Sequence, residues 1–196
     1  MLVFLWQHRE KQPFLRRPWF KNWAKRVLTF PALVGALQRL GRLRAQGAAI
    51  GPGTVFSPVQ ISNANRLSVG ENSFIGRVQM QAHAQIRIGS NVCINDGVRL
   101  ITASHDVRDA GWKQFAKPIV IEDFAWIATG AVILPGVRVG RGAVVGAGSV
   151  VSKNVPDFAV AVGNPAIVRE NVRPKELAYS PVRLLALANA WLGRPL

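Results

Sequence analysis

A strict six-residue repeat in the second half of the chain limits the folds open to it more than any other feature. The repeating aliphatic residues are Ile121, Ile127, Ile133, Val139, Val145 and Val151. Four positions after each comes a small or β-branched residue, namely Ala125, Ala131, Val137, Ala143, Ser149 and Val155. A period of six matches neither the 3.6-residue period of an α-helix nor the simple alternation of a β-strand. The repeat therefore predicts a solenoid.

Each hexad predicts one short strand and one corner of a triangular coil, so that three hexads make one full turn. The aliphatic residues of successive turns then stack and form the core. Upstream, Ile50, Val69 and Ile88 recur at intervals one position longer than three hexads, which is one turn plus a single-residue bulge at a corner. We predict a mainly β chain, with a parallel β-helix of about five coils over residues 48–168 and helical extensions at both ends.

One turn of this coil is interrupted by a long insertion. The stretch from Ile88 to Ile121 holds one turn of three hexads and about 15 residues more. We expect this excess to leave the coil as a loop at about residues 103–117. Loops held by a rigid scaffold are where catalytic groups tend to lie.

The two ends of the chain have helical patterns. In residues 1–47, Pro18 is expected to open a helix with Trp19, Trp23 and Val27 on one face, and Pro31 a second helix. The apolar face of this second helix would hold Leu33, Leu37, Leu40 and Leu43. In the tail of residues 169–196, Ser180 and Pro181 are expected to be the N-cap and first residue of a helix. The apolar faces would either cover the solenoid or meet a membrane surface.

Charge is concentrated at the N-terminus. The chain has a net charge of +15, of which residues 1–47 carry +9, with ten Lys and Arg against Glu10. Such an arm suits nucleic acid, anionic lipid or phosphorylated ligands, or is simply a solvated face. No apolar run approaches the ~20 residues of a spanning helix. Cys93 has no second cysteine to pair with, which favours a reducing, cytoplasmic location.

The repeat region contains two histidines, and one of them, His105, lies in the predicted loop outside the coil. His105 follows Ser104 and precedes Asp106. Histidine is the side chain best suited to accept a proton near neutral pH. His105 is therefore the candidate general base.

Four stretches carry a resemblance to a known family. They are TASHD at 102–106, KPIVIEDFAWIATGAVILPGV at 117–137, GAGSVVSKNVP at 146–156 and GNPA at 163–166. From about Ile88 to Val168 the chain resembles the hexapeptide-repeat acyltransferases, and most nearly the sugar O-acetyltransferases of exopolysaccharide (colanic-acid type) biosynthesis. The resemblance implies a left-handed β-helix, a homotrimer, and transfer of an acetyl group from acetyl-CoA directly to a sugar. His105 would be the general base, oriented either by Asp106 or by a backbone carbonyl.

The resemblance also implies where acetyl-CoA would bind. Trp126 would line the acetyl and acceptor site, or else pack against a neighbouring subunit. The remaining contacts would come from Thr129, Gly130 and Ala147 along the pantetheine arm, and from Ser152 and Lys153 near the nucleotide. One departure is Ile167, which follows GNPA where the family usually has Lys or Arg, so Arg169 would supply any phosphate contact there.

Three alternatives compete with a sugar O-acetyltransferase. A metal site of three histidines is not expected, because His8 lies outside the repeats and His83 lies near a corner. An amino-sugar N-acetyltransferase would use the same base and donor. A noncatalytic solenoid whose basic, aromatic arm binds nucleic acid is the third. Peripheral contact of the arm with an anionic membrane is a further hypothesis, because exopolysaccharide units are built on lipid-linked intermediates.

Overall fold

Short parallel strands wind through the middle of the computed structural model, which describes residues 2–9, 11, 16–170 and 172–192. The strands are, in chain order, β1 Ala49–Ile50, β2 Val55–Phe56, β3 Gln60–Ile61, β4 Leu67–Val69, β5 Phe74–Ile75, β6 Gln79–Gln81, β7 Ile86–Ile88, β8 Cys93–Ile94, β9 Arg99–Ile101, β10 Ala103–His105, β11 Gln114–Ala116, β12 Ile119–Ile121, β13 Trp126–Ile127, β14 Val132–Ile133, β15 Arg138–Val139, β16 Val144–Val145, β17 Val150–Val151, β18 Val160–Gly163 and β19 Ala166–Arg169.

Three parallel sheets form the faces of a triangular prism. The first sheet has the strand order β1-β4-β7-β12-β15, and the third has β3-β6-β9-β14-β17. The second sheet runs β2-β5-β8-β13-β16-β18 and ends with β19, which is antiparallel to β18. We call the corners after the first, second and third sheets the first, second and third edges. The chain completes five turns and begins a sixth, where Val155 bridges Val139. The predicted solenoid is confirmed, with one partial turn more than expected.

The hexad residues occupy the interior as predicted. All six aliphatic positions from Ile121 to Val151 are at most 1 % exposed, and the small positions from Ala125 to Val155 are also buried. Register follows the repeat: Trp126 pairs with Val144, three hexads further along the chain, whereas Phe74 pairs with Cys93, one position beyond three hexads. Burial of one aliphatic side chain per hexad is the main stabilising term of such a coil.

A β-hairpin leaves the coil at the third edge. Its strands β10 and β11 pair antiparallel to each other. The coil itself continues beneath it, because β7 pairs directly with β12, Ile86 opposite Ile119, although the whole insertion lies between them in sequence. Thr102 holds the base of the hairpin: its buried hydroxyl donates to the Gln81 carbonyl at 2.7 Å and accepts the Ala84 N–H at 2.9 Å.

Among the described residues, three α-helices lie outside the coil: α1 Leu2–Gln7, α2 Arg17–Ala45 and α3 Ala186–Leu192. The expectation that Pro31 begins a second helix was wrong, because α2 runs through it. A proline inside a helix costs about 3 kcal/mol through its missing N–H and its ring. Packing on both sides of Pro31 offsets that cost: Arg26 donates to the Ala190 carbonyl at 3.0 Å, and Leu33 is fully buried.

The helices cover the N-terminal end of the coil. Leu40 and Leu43 of α2 join the main core, while Leu33 packs with Leu5 of α1 and Trp191 of α3. The predicted apolar face of the second half of α2 therefore covers the solenoid. The first half differs, since Val27 is 68 % exposed.

The C-terminal tail is helical where the sequence predicted it, but the type of helix and its capping differ from the prediction. Pro181 opens a 3-10 helix, Pro181–Leu184, and the α-helix begins only at Ala186. The Ser180 side chain makes no capping hydrogen bond. Over the described part of the chain, none of the helices combines the length and the hydropathy needed to cross a bilayer.

Candidate active site

His105 lies at the end of β10, where the hairpin orients its imidazole through two contacts. The ring Nδ1 is 2.7 Å from the carbonyl oxygen of Trp112. The imidazole also stacks on the Trp112 indole, with ring centroids 3.8 Å apart and planes inclined by 13°. A carbonyl oxygen can only accept, so Nδ1 carries the hydrogen and Nε2 keeps its lone pair. This tautomer is the one that a general base working through Nε2 requires.

Asp106 serves the turn of the hairpin. Its carboxylate accepts the N–H of Arg108 at 2.9 Å, and its own N–H donates to the Lys113 carbonyl at 2.9 Å. Of the two orienting groups considered from the sequence, the backbone carbonyl is the one that the structure places on the His105 ring. The Asp106 carboxylate thus has a local structural task in the loop.

Trp126 lies on the outer face of the second sheet and is 44 % exposed. Its indole N–H donates to the Asn95 Oδ1 at 2.7 Å. Asn95 is one coil away, so the bond holds the indole across two turns. The polar edge of the ring is thereby satisfied within the chain, and its apolar face remains open to a ligand or to another chain.

The second edge is a line of exposed backbone and small residues. Thr129 and Gly130 lie there in one coil, and Ala147 lies there in the next coil. All three residues are exposed. The Thr129 carbonyl accepts the Gly148 N–H at 2.9 Å, which joins the two coils. A Cβ atom built on Gly148 would meet nothing within 4 Å. An extended ligand arm could therefore approach the backbone of this edge closely.

The basic and hydroxyl residues predicted for the nucleotide end are divided between two places. Ser152 and Lys153 are exposed on the third edge, the edge from which the His105 hairpin leaves two coils earlier. Arg169 is exposed on β19, at the end of the second sheet. Ile167 lies two residues before it and is 70 % exposed. Alternate residues of a strand share a face, so Arg169 projects on the same side as Ile167.

A C-terminal segment, residues 172–180, runs along the first edge and forms one wall of a pocket beside Trp126. Arg173 donates to the Gly142 carbonyl at 2.9 Å, and the Tyr179 hydroxyl donates to the Phe124 carbonyl. The pocket holds about 290 Å³ and is lined by Cys93, Asn95, Trp126, Arg173, Tyr179, Pro181 and Leu184. We call residues 172–180 the C-terminal strap.

Cys93 lies in this pocket, and burial raises the pKa of its thiol to about 11. The thiolate is the reactive form, so Cys93 is expected to react slowly with alkylating reagents at pH 7.5 and faster as the pH rises towards 11.

Tyr179→Phe removes one anchor of the C-terminal strap and should expose the Cys93 thiol. The alkylation rate should be at least about threefold higher, as expected for loss of one ~1 kcal/mol hydrogen bond. The rate is measured by mass spectrometry at fixed pH. Lys175→Ala, at an exposed position of the same strap, is the control, and equal rates for both variants would contradict the anchoring role.

Within the described ranges, we find no cluster of three or more histidine, cysteine, aspartate or glutamate side chains arranged to hold a metal ion. His83 is exposed at a corner of the coil.

Comparison with known proteins identifies the family. The bacterial transferase hexapeptide model (six repeats) matches residues 118–153. A protein provisionally assigned as the colanic acid biosynthesis acetyltransferase WcaF, from Escherichia coli K12, is 40% identical over 133 residues, covering 66% of this chain and 73% of that protein. The chain belongs to the hexapeptide-repeat acetyltransferases.

Two solved structures of hexapeptide-repeat acetyltransferases share the fold. A maltose O-acetyltransferase from Clostridium difficile 630 is 32% identical, with a TM-score of 0.61, covering 69% of this chain and 75% of that one. A hexapeptide-repeat acetyltransferase from Vibrio cholerae, complexed with acetyl-CoA, is 27% identical, with a TM-score of 0.63, covering 88% of this chain and 98% of that one. The sequence similarity and the architecture thus lead to the same family.

In this acetyltransferase the predicted site residues lie on the second and third edges of the prism and on its second sheet. His105, Ser152 and Lys153 lie on the third edge, whereas Thr129, Gly130 and Ala147 lie on the second edge, beside Trp126. The structure also shows three residues that sequence reasoning missed: Trp112, Asn95 and Tyr179. The roles of Asn95 and Tyr179 depend on contacts between distant positions, whereas Trp112 lies inside the insertion and so had a sequence signal.

Proposed function

We propose that this acetyltransferase moves an acetyl group from acetyl-CoA to a hydroxyl of a sugar or polysaccharide precursor, with His105 as the general base. The observation that carries the proposal is the hydrogen bond from His105 Nδ1 to the Trp112 carbonyl, because it leaves Nε2 free to accept a proton. The similarity to WcaF and to the maltose O-acetyltransferase supports a saccharide acceptor and oxygen as the acetylated atom. The acetyl-CoA complex of the Vibrio cholerae protein supports the donor.

The reaction balances with one proton shuttled by one imidazole. His105 Nε2 removes the proton from the acceptor hydroxyl as its oxygen attacks the thioester carbonyl carbon. The carbon–sulfur bond then breaks, and the imidazolium returns the proton to the departing thiolate. The products are an acetyl ester and coenzyme A, and His105 returns to its starting form. The Trp112 carbonyl stabilises the intermediate imidazolium, because it accepts the Nδ1 hydrogen throughout.

The second edge is suited to the pantetheine arm. The arm carries amide groups, and the exposed backbone near Thr129, Gly130 and Ala147 offers peptide groups with little side chain in front of them. Trp126 would present its apolar face to the acetyl group or acceptor. At the far end, Ser152, Lys153 and Arg169 provide a hydroxyl and two cations for phosphate groups. Ser152 and Lys153, however, stand across the third sheet from the second edge.

A second copy of the chain would bring the two edges together. Within one copy the two edges are separated by the flat third sheet, which encloses no groove. Two copies side by side would enclose a groove if the third edge of one copy faced the second edge of the other. We therefore propose a homotrimer in which His105 of each copy reaches the Trp126 face of the next. Sedimentation equilibrium should give three times the chain mass, and an active monomer would contradict the shared site.

Trp112→Ala should lower kcat about fivefold and leave KM for the acceptor nearly unchanged. Loss of a stacked aromatic pair costs about 1 kcal/mol, and this pair orients the imidazole without touching substrate. Steady-state kinetics separates the two constants. Trp112→Phe keeps a ring at this position and should restore kcat to within about twofold of the parent. A kcat for Trp112→Ala equal to that of the parent would contradict the positioning role.

Coenzyme A release measured against a panel of acceptors tests the proposed function. The panel contains neutral mono- and oligosaccharides, the corresponding amino sugars, and no acceptor, with mass spectrometry to locate the added acetyl group. We expect acceptor-dependent thiol release and alkali-labile acetyl esters on neutral sugars. Acetylation confined to the amines of amino sugars would contradict O-acetylation. Absence of release with every acceptor, together with salt-dependent DNA binding, would contradict the proposed function altogether.

A further inference from the structure

The first half of α2 exposes an apolar stripe that neither the coil nor α3 covers. Phe20, Trp23, Val27 and Phe30 are spaced by three, four and three residues and so share one face of the helix. With the neighbouring Leu28 and with Trp6 of α1, their exposed fractions range from 39 % to 79 %. Isolated exposed apolar residues are ordinary, but a contiguous group of large ones marks an interaction surface.

Basic residues border the apolar stripe. Arg17, Lys21 and Lys25 follow one another at four-residue intervals and are exposed. In α1, the Arg9 guanidinium lies 4.0 Å from the centre of the Trp6 ring. From Lys11 to Gly70 the sequence has no acidic residue. The α2 part of this surface therefore combines hydrophobic and cationic groups, with no acidic residue in its own stretch of sequence.

The face of this helical segment next to the apolar stripe is already used within the chain. Arg26 is 7 % exposed and donates to the Ala190 carbonyl, and Leu33 is buried against α1 and α3. These contacts hold α2 in position and leave the apolar stripe directed outward. Because α2 is already held in place by these contacts, its backbone would lose little conformational entropy when the apolar stripe binds a partner.

The chemistry of this surface matches an anionic lipid bilayer. Phosphate and carboxylate headgroups attract the lysines, while tryptophan, phenylalanine and aliphatic side chains favour the boundary between headgroups and acyl chains. Nucleic acid offers the negative charge but no hydrocarbon for Val27, Leu28 and Phe30. A second copy of the chain offers the hydrocarbon, but stripe against stripe would bring Lys21 and Lys25 close to like charges.

We propose that the apolar stripe and its bordering basic residues bind the surface of an anionic membrane, with α2 lying parallel to it. This binding is independent of acetyl transfer, because the surface excludes every residue of the proposed active site. It would restrict the enzyme to acceptors and donors that reach the membrane surface.

Vesicle co-sedimentation of the full chain tests the proposal. Vesicles of phosphatidylcholine alone are compared with vesicles containing phosphatidylglycerol, at low salt and at about 0.15 M salt. The parent should bind only the anionic vesicles. The variant K21E/K25E should bind at least about tenfold less tightly, since it changes the charge beside the lipid by four units. The variant V27Q/L28Q/F30Q should bind at low salt and dissociate at about 0.15 M salt, because only its charges remain.

Matched controls separate membrane binding from loss of structure. R66E/R87E makes the same charge change at exposed positions outside the apolar stripe and the proposed active site, and should bind within about threefold of the parent. All variants should keep the parent's circular dichroism and acetyl transfer to a soluble acceptor. Equal binding to neutral vesicles, or no binding to either kind, would overturn the proposal. So would DNA binding that depends on the same residues without vesicle binding, or a change in oligomeric state on substituting the apolar stripe.

Discussion

His105→Ala should lower kcat for acetyl transfer by at least about 100-fold, with a much smaller change in KM for acetyl-CoA. Removal of a general base typically costs a factor of 10² to 10⁴, because the acceptor hydroxyl must then lose its proton to water. The donor contacts proposed at the second edge and at the nucleotide end do not involve this side chain. Thiol release under saturating donor and acceptor measures the effect.

Two further variants sharpen this prediction. His8→Ala removes a histidine whose ring contacts the Phe4 carbonyl and the Phe4 ring of α1, and should leave kcat unchanged. Asp106→Asn keeps an acceptor for the Arg108 N–H and should lower kcat by less than about tenfold, since the backbone carbonyl orients the base. If His105→Ala retained the parent's kcat, the base would have to be assigned elsewhere. A loss for Asp106→Asn as large as that for His105→Ala would transfer the orienting role to the carboxylate.

Gly89→Ala should destabilise the chain by about 3 kcal/mol, the cost expected for overpacking against rigid backbone. Gly89 lies at the first edge, where a Cβ atom would stand 2.7 Å from the Asp123 backbone nitrogen and 3.0 Å from the Glu122 carbonyl carbon. Neither atom can retreat easily, because Gly89 donates to the Ile121 carbonyl at 2.7 Å and the Asp123 carboxylate accepts the Ser90 N–H at 2.7 Å. Thermal unfolding should show a midpoint lower by about 10 °C for a chain of this size.

Gly41→Ala is the matched control for this substitution. Gly41 lies within α2, and a Cβ atom there would meet nothing within 4 Å. Alanine is favoured over glycine in a helix by up to about 1 kcal/mol, so this variant should be slightly more stable than the parent. The same chemical change is thus expected to act in opposite directions at two sites. A stable Gly89→Ala protein would show that the coils can separate locally without cost.

The solenoid was predictable because its information is local and repeated. Each hexad carries its own aliphatic residue and its own corner, so the register between Trp126 and Val144 follows from counting hexads. The insertion was predictable for the same reason, as the excess over one turn between Ile88 and Ile121. His105 could be singled out because it lies in that excess.

Contacts between distant positions were not predictable in this way. The hydrogen bond from Trp126 to Asn95 spans 31 residues, and that from Tyr179 to Phe124 spans 55. The choice between Asp106 and a carbonyl as the partner of His105 depended on the geometry of the hairpin turn. The continuous helix through Pro31 depended on tertiary packing, which outweighs the local preference of proline to begin a helix.

The pairing of β7 directly with β12 means that the prism closes beneath the hairpin as though residues 103–116 were missing. The proposed general base and the stacked aliphatic core therefore lie in separate parts of the chain. A shortened chain in which a tight turn replaced the hairpin would still stack its coils, as an inert scaffold. Conversely, hairpins of other lengths or sequences could be grafted at this corner, which makes it the natural place for such an enzyme to acquire a new acceptor without endangering its core.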